Sequence, residues 1–95
     1  MRYLKEITNI RPSTTAGTPS GIVTVYIEWS DEKGLNRMIS SSTLEKPYKY
    51  DLEHDGNYEM REFENNLDLN GFISIDVNEF DKVWAEVDYH EYESS

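Results

Sequence analysis

The chain has 95 residues, with 19 Asp and Glu against 9 Lys and Arg, a formal net charge of −10 and no cysteine. That length bounds it to one domain, its charge repels nucleic acid and anionic lipid, and without cysteine there is neither a disulfide framework nor thiolate chemistry. An aromatic content of 13% is too high for a disordered acidic tail, so the expectation is a folded acidic domain.

In chain order, Tyr3 to Ile10 reads as a first strand. Residues 11–21 form a flexible loop by composition, with Pro12, Gly17, Pro19 and Gly21 among a run of hydroxyls. The loop lacks the Gly-Lys-Ser/Thr ending of a phosphate cradle. Ile22 to Trp29 is the clearest strand: Val23, Val25, Ile27 and Trp29 share one face, and Ile22, Thr24, Tyr26 and Glu28 share the other. Asp31-Glu32-Lys33-Gly34 reads as a hairpin turn with its glycine left-handed, and Leu35 to Ser41 as the return strand. Tyr48, Tyr50 and Leu52 alternate with Lys49 and Asp51 in a further short strand, before a turn at His54-Asp55-Gly56-Asn57.

Beyond Asn57 the period changes. Met60, Phe63 and Leu67 recur at helical spacing, with Asn57 as the N-cap. Phe72 to Val77 reads as a buried strand. Phe80, Val83, Trp84 and Val87 then form the apolar stripe of a helix over 79–89, capped by Asn78. That helix is favoured over a strand in which Val83, Ala85, Val87 and Tyr89 alternate. The predicted fold class is α+β: a small single domain, residues 1–95, of mostly antiparallel sheet with two short helices in the C-terminal half. No stretch is long and apolar enough to span a membrane, and Met1 to Ile7 does not resemble a signal peptide, so a cytoplasmic protein is the expectation.

Few motifs carry chemistry. Asp51, Glu53, His54 and Asp55 cluster around one turn, but with only the distant His90 to add they read as a solvated turn rather than a metal site. No serine sits in a Gly-x-Ser-x-Gly turn, and no pair of carboxylates stands out for acid–base work. Asp68, Asn70, Asp76 and Glu79 have spacings that resemble an EF-hand calcium loop, a run of about twelve residues with glycine sixth and glutamate last. With Asp68 first, Phe72 and Ile73 occupy the fifth and sixth positions; with Gly71 sixth, Val77 is last. Neither register completes a site. A non-catalytic protein with no cofactor and no metal is the expectation.

What remains is the charge distribution. Residues 1–50 carry seven basic and five acidic side chains, whereas residues 51–95 carry fourteen acids against Arg61 and Lys82. Acids interleave with aromatics throughout this second half. Asp88, Glu91 and Glu93 stand at or beyond the end of the second predicted helix, where the macrodipole is already negative, which implies a use other than the fold. A row of carboxylates along helices imitates phosphates along a duplex and steers association with a basic surface. The partner-binding residues expected on this reasoning are Glu59, Glu62, Glu64, Asp81, Glu86, Asp88, Glu91 and Glu93, with Tyr89 and Tyr92 as aromatic anchors. The expected partner is a basic nucleic-acid-binding protein or nuclease complex, occluded rather than processed. Size and charge suit a phage or mobile-element counter-defence protein acting as a DNA mimic against a CRISPR effector or restriction enzyme. They also suit an immunity protein or antitoxin against a nuclease toxin. An acidic scaffold or structural subunit is the rival of a different class.

Overall fold

Alternation with a period of two builds the sheet, and the computed structural model, which describes residues 1–10, 21–43 and 46–90, places it at the centre of the molecule. Strands β1 (Arg2–Ile10), β2 (Gly21–Ser30), β3 (Gly34–Ser42) and β4 (Tyr48–Asp51) form an antiparallel meander. The chain continues through helix α1 (Leu52–Asn65), a short 3-10 turn (Leu69–Gly71), β5 (Ile73–Ser74), helix α2 (Val77–Glu86) and β6 (Asp88–Tyr89). The strand order is β5-β1-β2-β3-β4-β6. β5 pairs antiparallel with β1, and β6 pairs parallel with β4. This is the α+β architecture expected, with both helices in the C-terminal half. The predicted loop at 11–21 lies outside the described residues except for Gly21, which opens β2.

Each face of the sheet carries one helix, because successive strand residues point to opposite sides. Leu4, Ile27, Leu35 and Met38 pack with Val25, Trp29 and Tyr50 against Leu52, Met60, Phe63 and Leu67 of the α1 side. On the other side Ile39, Tyr3 and Tyr26 pack against Phe80, Val83, Trp84 and Val87 of the α2 side. The helical stripes read from the sequence are therefore the buried ones. A bulge makes the first face possible: Leu35 opposes Trp29 and Arg37 opposes Glu28, leaving Asn36 as the extra residue. Leu35 and Met38, three apart, thus both join the α1 side, while Arg37 points to the α2 side.

Several boundaries differ from expectation, each for a local reason. The first helix starts at Leu52, with Asp51 rather than Asn57 as its cap: Asp51 Oδ1 accepts from the His54 amide at 2.7 Å. The expected turn at 54–57 is helical instead, broken only at Gly56 (φ 89°), where the chain kinks before resuming. Phe72–Val77 is not a buried strand. Only Ile73 and Ser74 pair, at the β1 edge, and both are exposed. Asp76, not Asn78, caps α2, accepting from the Asn78 amide at 2.8 Å. That helix stops at Glu86, and extended Val87 leads into β6, so Tyr89 lies in a strand rather than at the end of a helix.

Gly34 is set by its surroundings as well as its φ of 79°. A Cβ there would fall 2.0 Å from Glu64 Oε1, the oxygen that accepts from the Leu35 amide at 2.9 Å. Gly34→Ala is expected to destabilise by about 2 kcal/mol, combining the left-handed backbone cost with the lost bond to a buried residue's amide. In a Glu64→Ala background the same change should cost only about 1 kcal/mol. Urea midpoints for the four proteins test this; additive losses would show that the two residues do not share one contact.

Candidate acidic surface and adjoining cleft

Helix α1 carries Glu53, Glu59 and Glu62, and the β2–β3 turn carries Asp31 and Glu32; none of these five makes an ion pair among the described residues. The turn is held against the helix by Arg61, which donates to the Lys33 and Leu35 carbonyls and pairs with Glu64 at 2.7 Å. Asp31 and Glu32 therefore extend the α1 charge toward the β2–β3 end of the sheet. Among these acids stands Tyr58, 74% exposed, one residue from Glu59 and four from Glu62. Sequence reasoning took in Tyr58 only as one of the aromatics interleaved with acids and did not select it. The signal was its place off the Met60, Phe63, Leu67 stripe, which puts it on the outer side of the helix.

The other expected residues are distributed differently. Glu64 is committed to Arg61 and the Leu35 amide. Asp81 lies 3.5 Å from Arg37, and Asp88 lies 3.1 Å from Lys46. Glu86 is exposed on α2, on the opposite side of the sheet from Glu59 and Glu62. The structure thus brings Glu59 and Glu62 together with Tyr58, and separates them from Asp81 and Glu86. Glu91, Tyr92 and Glu93 lie outside the described residues.

The C-terminus of α2 also differs from expectation. Although no basic residue stands in its last turn, Lys49 of β4 donates to the Trp84 carbonyl at 3.0 Å. The cation that the macrodipole favours is supplied across the fold rather than along the chain. Asp88 sits in β6 beyond it, so a helix end without a cation gives no reason to assign that acid a role outside the fold.

Beside the start of α1 lies an open cleft of about 390 Å³, lined by Asn36, Arg37, Asp51, Leu52, Glu53, Trp84 and Tyr89. Its interior is already organised. The Arg37 guanidinium bonds Glu28 at 2.5 Å and sits 4.8 Å from the ring centres of both Phe80 and Trp84. Lys49 Nζ lies 4.8 Å from the rings of Trp84 and Tyr89. Tyr89 stacks on His54 with centroids 4.4 Å apart and donates its hydroxyl to Asp51 at 2.5 Å. That hydrogen bond first, then burial, pushes the phenol up to about 12. Tyr89 is therefore a half-buried link between β6 and the cap of α1, not a projecting anchor.

Glu28 lies on the same side of the sheet as Arg37. Burial opposes its ionisation, yet the hydrogen bonds from Arg37 and Tyr3 outweigh that and hold its carboxyl below the ordinary value. A carboxyl whose folded value is depressed stabilises above its unfolded value and loses that contribution as pH falls through the folded one. Glu28→Gln is therefore expected to lower stability at neutral pH and to flatten its decline below about pH 4.5. Urea midpoints from pH 7 to pH 3 measure this; parallel curves would count against the Arg37 pairing.

The EF-hand-like oxygens serve the fold. Asp68 accepts from the Asn70 amide, Asp76 caps α2, and Glu79 pairs with Lys5 at 2.9 Å. Asp51 and Asp55 of the other acidic cluster are likewise occupied, since Asp55 Oδ2 accepts from the Asp51 amide at 2.9 Å. Among the described residues no group of three or more His, Cys, Asp and Glu side chains is placed to hold a metal ion, and no helix is long and apolar enough to cross a membrane. No protein-family model, curated protein or solved structure matches this chain.

Proposed function

We infer that this protein is a non-catalytic binder that occludes a basic, nucleic-acid-binding surface of another protein. The observation that carries the reading is the outer side of α1, where Glu59 and Glu62 stand unpaired among the described residues beside exposed Tyr58. Glu28, Glu64, Glu79, Asp81 and Asp88 have cationic partners within the fold, whereas Glu59 and Glu62 keep their charge for an external one. Glu59 and Glu62 stand three residue steps apart on the helix beyond the Gly56 kink, about 4.5 Å of rise. That single gap is near the ~3.4 Å per charge of one strand of a duplex and wider than that of both strands together. A counter-defence protein and a nuclease-neutralising immunity protein both fit this description, and a scaffold binding through apolar contacts is the second class.

The test is competition. The protein, immobilised, is exposed to lysate of its source at about 50 and 500 mM salt, spanning strong and weak screening, and captured proteins are challenged with duplex and single-stranded DNA. A partner that binds DNA, is released by it, and is lost at high salt supports occlusion. A partner retained at high salt and indifferent to DNA supports the scaffold class instead.

A further inference from the structure

The cleft at the start of α1 is a second feature of this helix, and it differs in kind from the acids on its outer side. It is concave, its volume of about 390 Å³ is at the small end of ligand pockets, and its walls alternate apolar and charged groups. Leu52 and the Trp84 side chain offer apolar contact, while Asp51 and Glu53 bring carboxylates to one side. Arg37 also lines the cleft, but its charge is spent: Glu28 lies 2.5 Å away and Asp81 lies 3.5 Å away. Asp51 accepts from the Tyr89 hydroxyl and the His54 amide, which fixes its orientation, whereas Glu53 has no ion pair among the described residues. Counting the groups in and against the walls, Asp51, Glu53, Glu28 and Asp81 outnumber Arg37 and Lys49.

A site with this balance selects a cation, and its shape selects one with an apolar stem. We propose that the cleft receives a single arginine side chain from the basic partner. The methylene stem lies along Leu52 and the exposed part of Trp84, and the planar guanidinium forks onto the Glu53 carboxylate, with Asp51 adding charge behind it. Arginine suits the cleft better than lysine because the fork matches a carboxylate at two points and is more weakly hydrated. The faces of Trp84 and Tyr89 already lie against Arg37, Lys49 and His54. The incoming group is therefore recognised by carboxylate and stem contacts, not by stacking. This inference rests on the proposed function for its source of arginine, and it adds a defined point of attachment to a diffuse charge effect.

The probe is a hexa-arginine peptide, titrated into the wild-type protein at about 50 mM salt and followed by two-dimensional NMR, with hexa-lysine in parallel. The expected result is a set of shifts centred on the Trp84 indole N–H and the Leu52 and Glu53 amides. Hexa-arginine should bind more tightly than hexa-lysine, and Glu53→Gln should weaken it roughly tenfold, about 1.4 kcal/mol. Shifts centred on Tyr58 to Glu62 with Trp84 unmoved would overturn the cleft while leaving the acidic surface of α1 intact. Equal binding by Glu53→Gln would overturn it as well. Absence of any shift would overturn it and count against charge-driven occlusion too. In the lysate experiment, a partner captured as well by Glu53→Gln as by wild type separates failure of the cleft from failure of the proposed function.

Discussion

Replacing Phe80 by alanine is expected to destabilise the protein by about 3–5 kcal/mol, the range for removing a fully buried aromatic ring. Phe80 is completely buried between Ile39 and Val87. Its ring lies 5.3 Å from that of Tyr3 and 6.0 Å from that of Trp84, and Arg37 rests on it. Losing it leaves a cavity and also removes the surface that orients the Arg37 guanidinium toward Glu28. Against a typical total of about 5–15 kcal/mol, such a loss takes roughly a fifth or more of the stability. Phe80→Leu retains most of the volume and should cost less than about 1.5 kcal/mol. Urea unfolding with near-ultraviolet dichroism reads both changes. A loss below about 1.5 kcal/mol for Phe80→Ala would show that α2 is not docked on the sheet through this ring.

The largest effect on binding is expected from Glu59→Lys combined with Glu62→Lys. Both side chains lie outside the ion pairs of the fold among the described residues, so their reversal should leave the urea midpoint nearly unchanged. Each reversal replaces an attraction by a repulsion at the partner's surface, and roughly tenfold per charge gives about a hundredfold loss at low salt. The loss should appear mainly as slower association and should shrink as salt rises, because Glu62 is exposed and Glu59 partly so. Glu86→Lys, on the opposite side of the sheet, is the control. If Glu86→Lys abolishes capture and the double variant does not, the binding side is α2. If neither matters, charge-driven occlusion is wrong.

The meander was legible in the sequence because its strands alternate cleanly and Gly34 marks the turn. The two apolar stripes were legible from their helical spacing, and Met60 and Phe80, which open them, are fully buried. What the sequence did not disclose depends on contacts between distant residues. Asp51 outcompeted Asn57 as a cap because the helix could start early and accommodate Gly56 as a kink, which local propensity does not reveal. The bulge at Asn36 moved Leu35 onto the α1 side, against simple alternation. Lys49 at the end of α2 is 35 residues from the carbonyl it binds, so the helix looked uncapped when read along the chain. Among the site residues, Glu59 and Glu62 could be placed on the outside of a helix from periodicity. The division of acids between two sides of the sheet could not, because it follows from the path of the chain around the sheet's edge.

That path has a consequence for how the protein is made. From the end of β4 the chain crosses one side of the meander as α1, turns the β1 edge at β5, returns over the other side as α2, and meets β4 again at β6. The four strands beneath are sequence neighbours, so their pairings close short loops, whereas the Lys5–Glu79 and Asp51–Tyr89 contacts join residues 74 and 38 apart. The wrapping segment is also synthesised after the strands it wraps, in the order in which it passes around them. Growth from the N-terminus thus delivers the wrapping segment after the strands it covers, and no end has to be threaded through a loop.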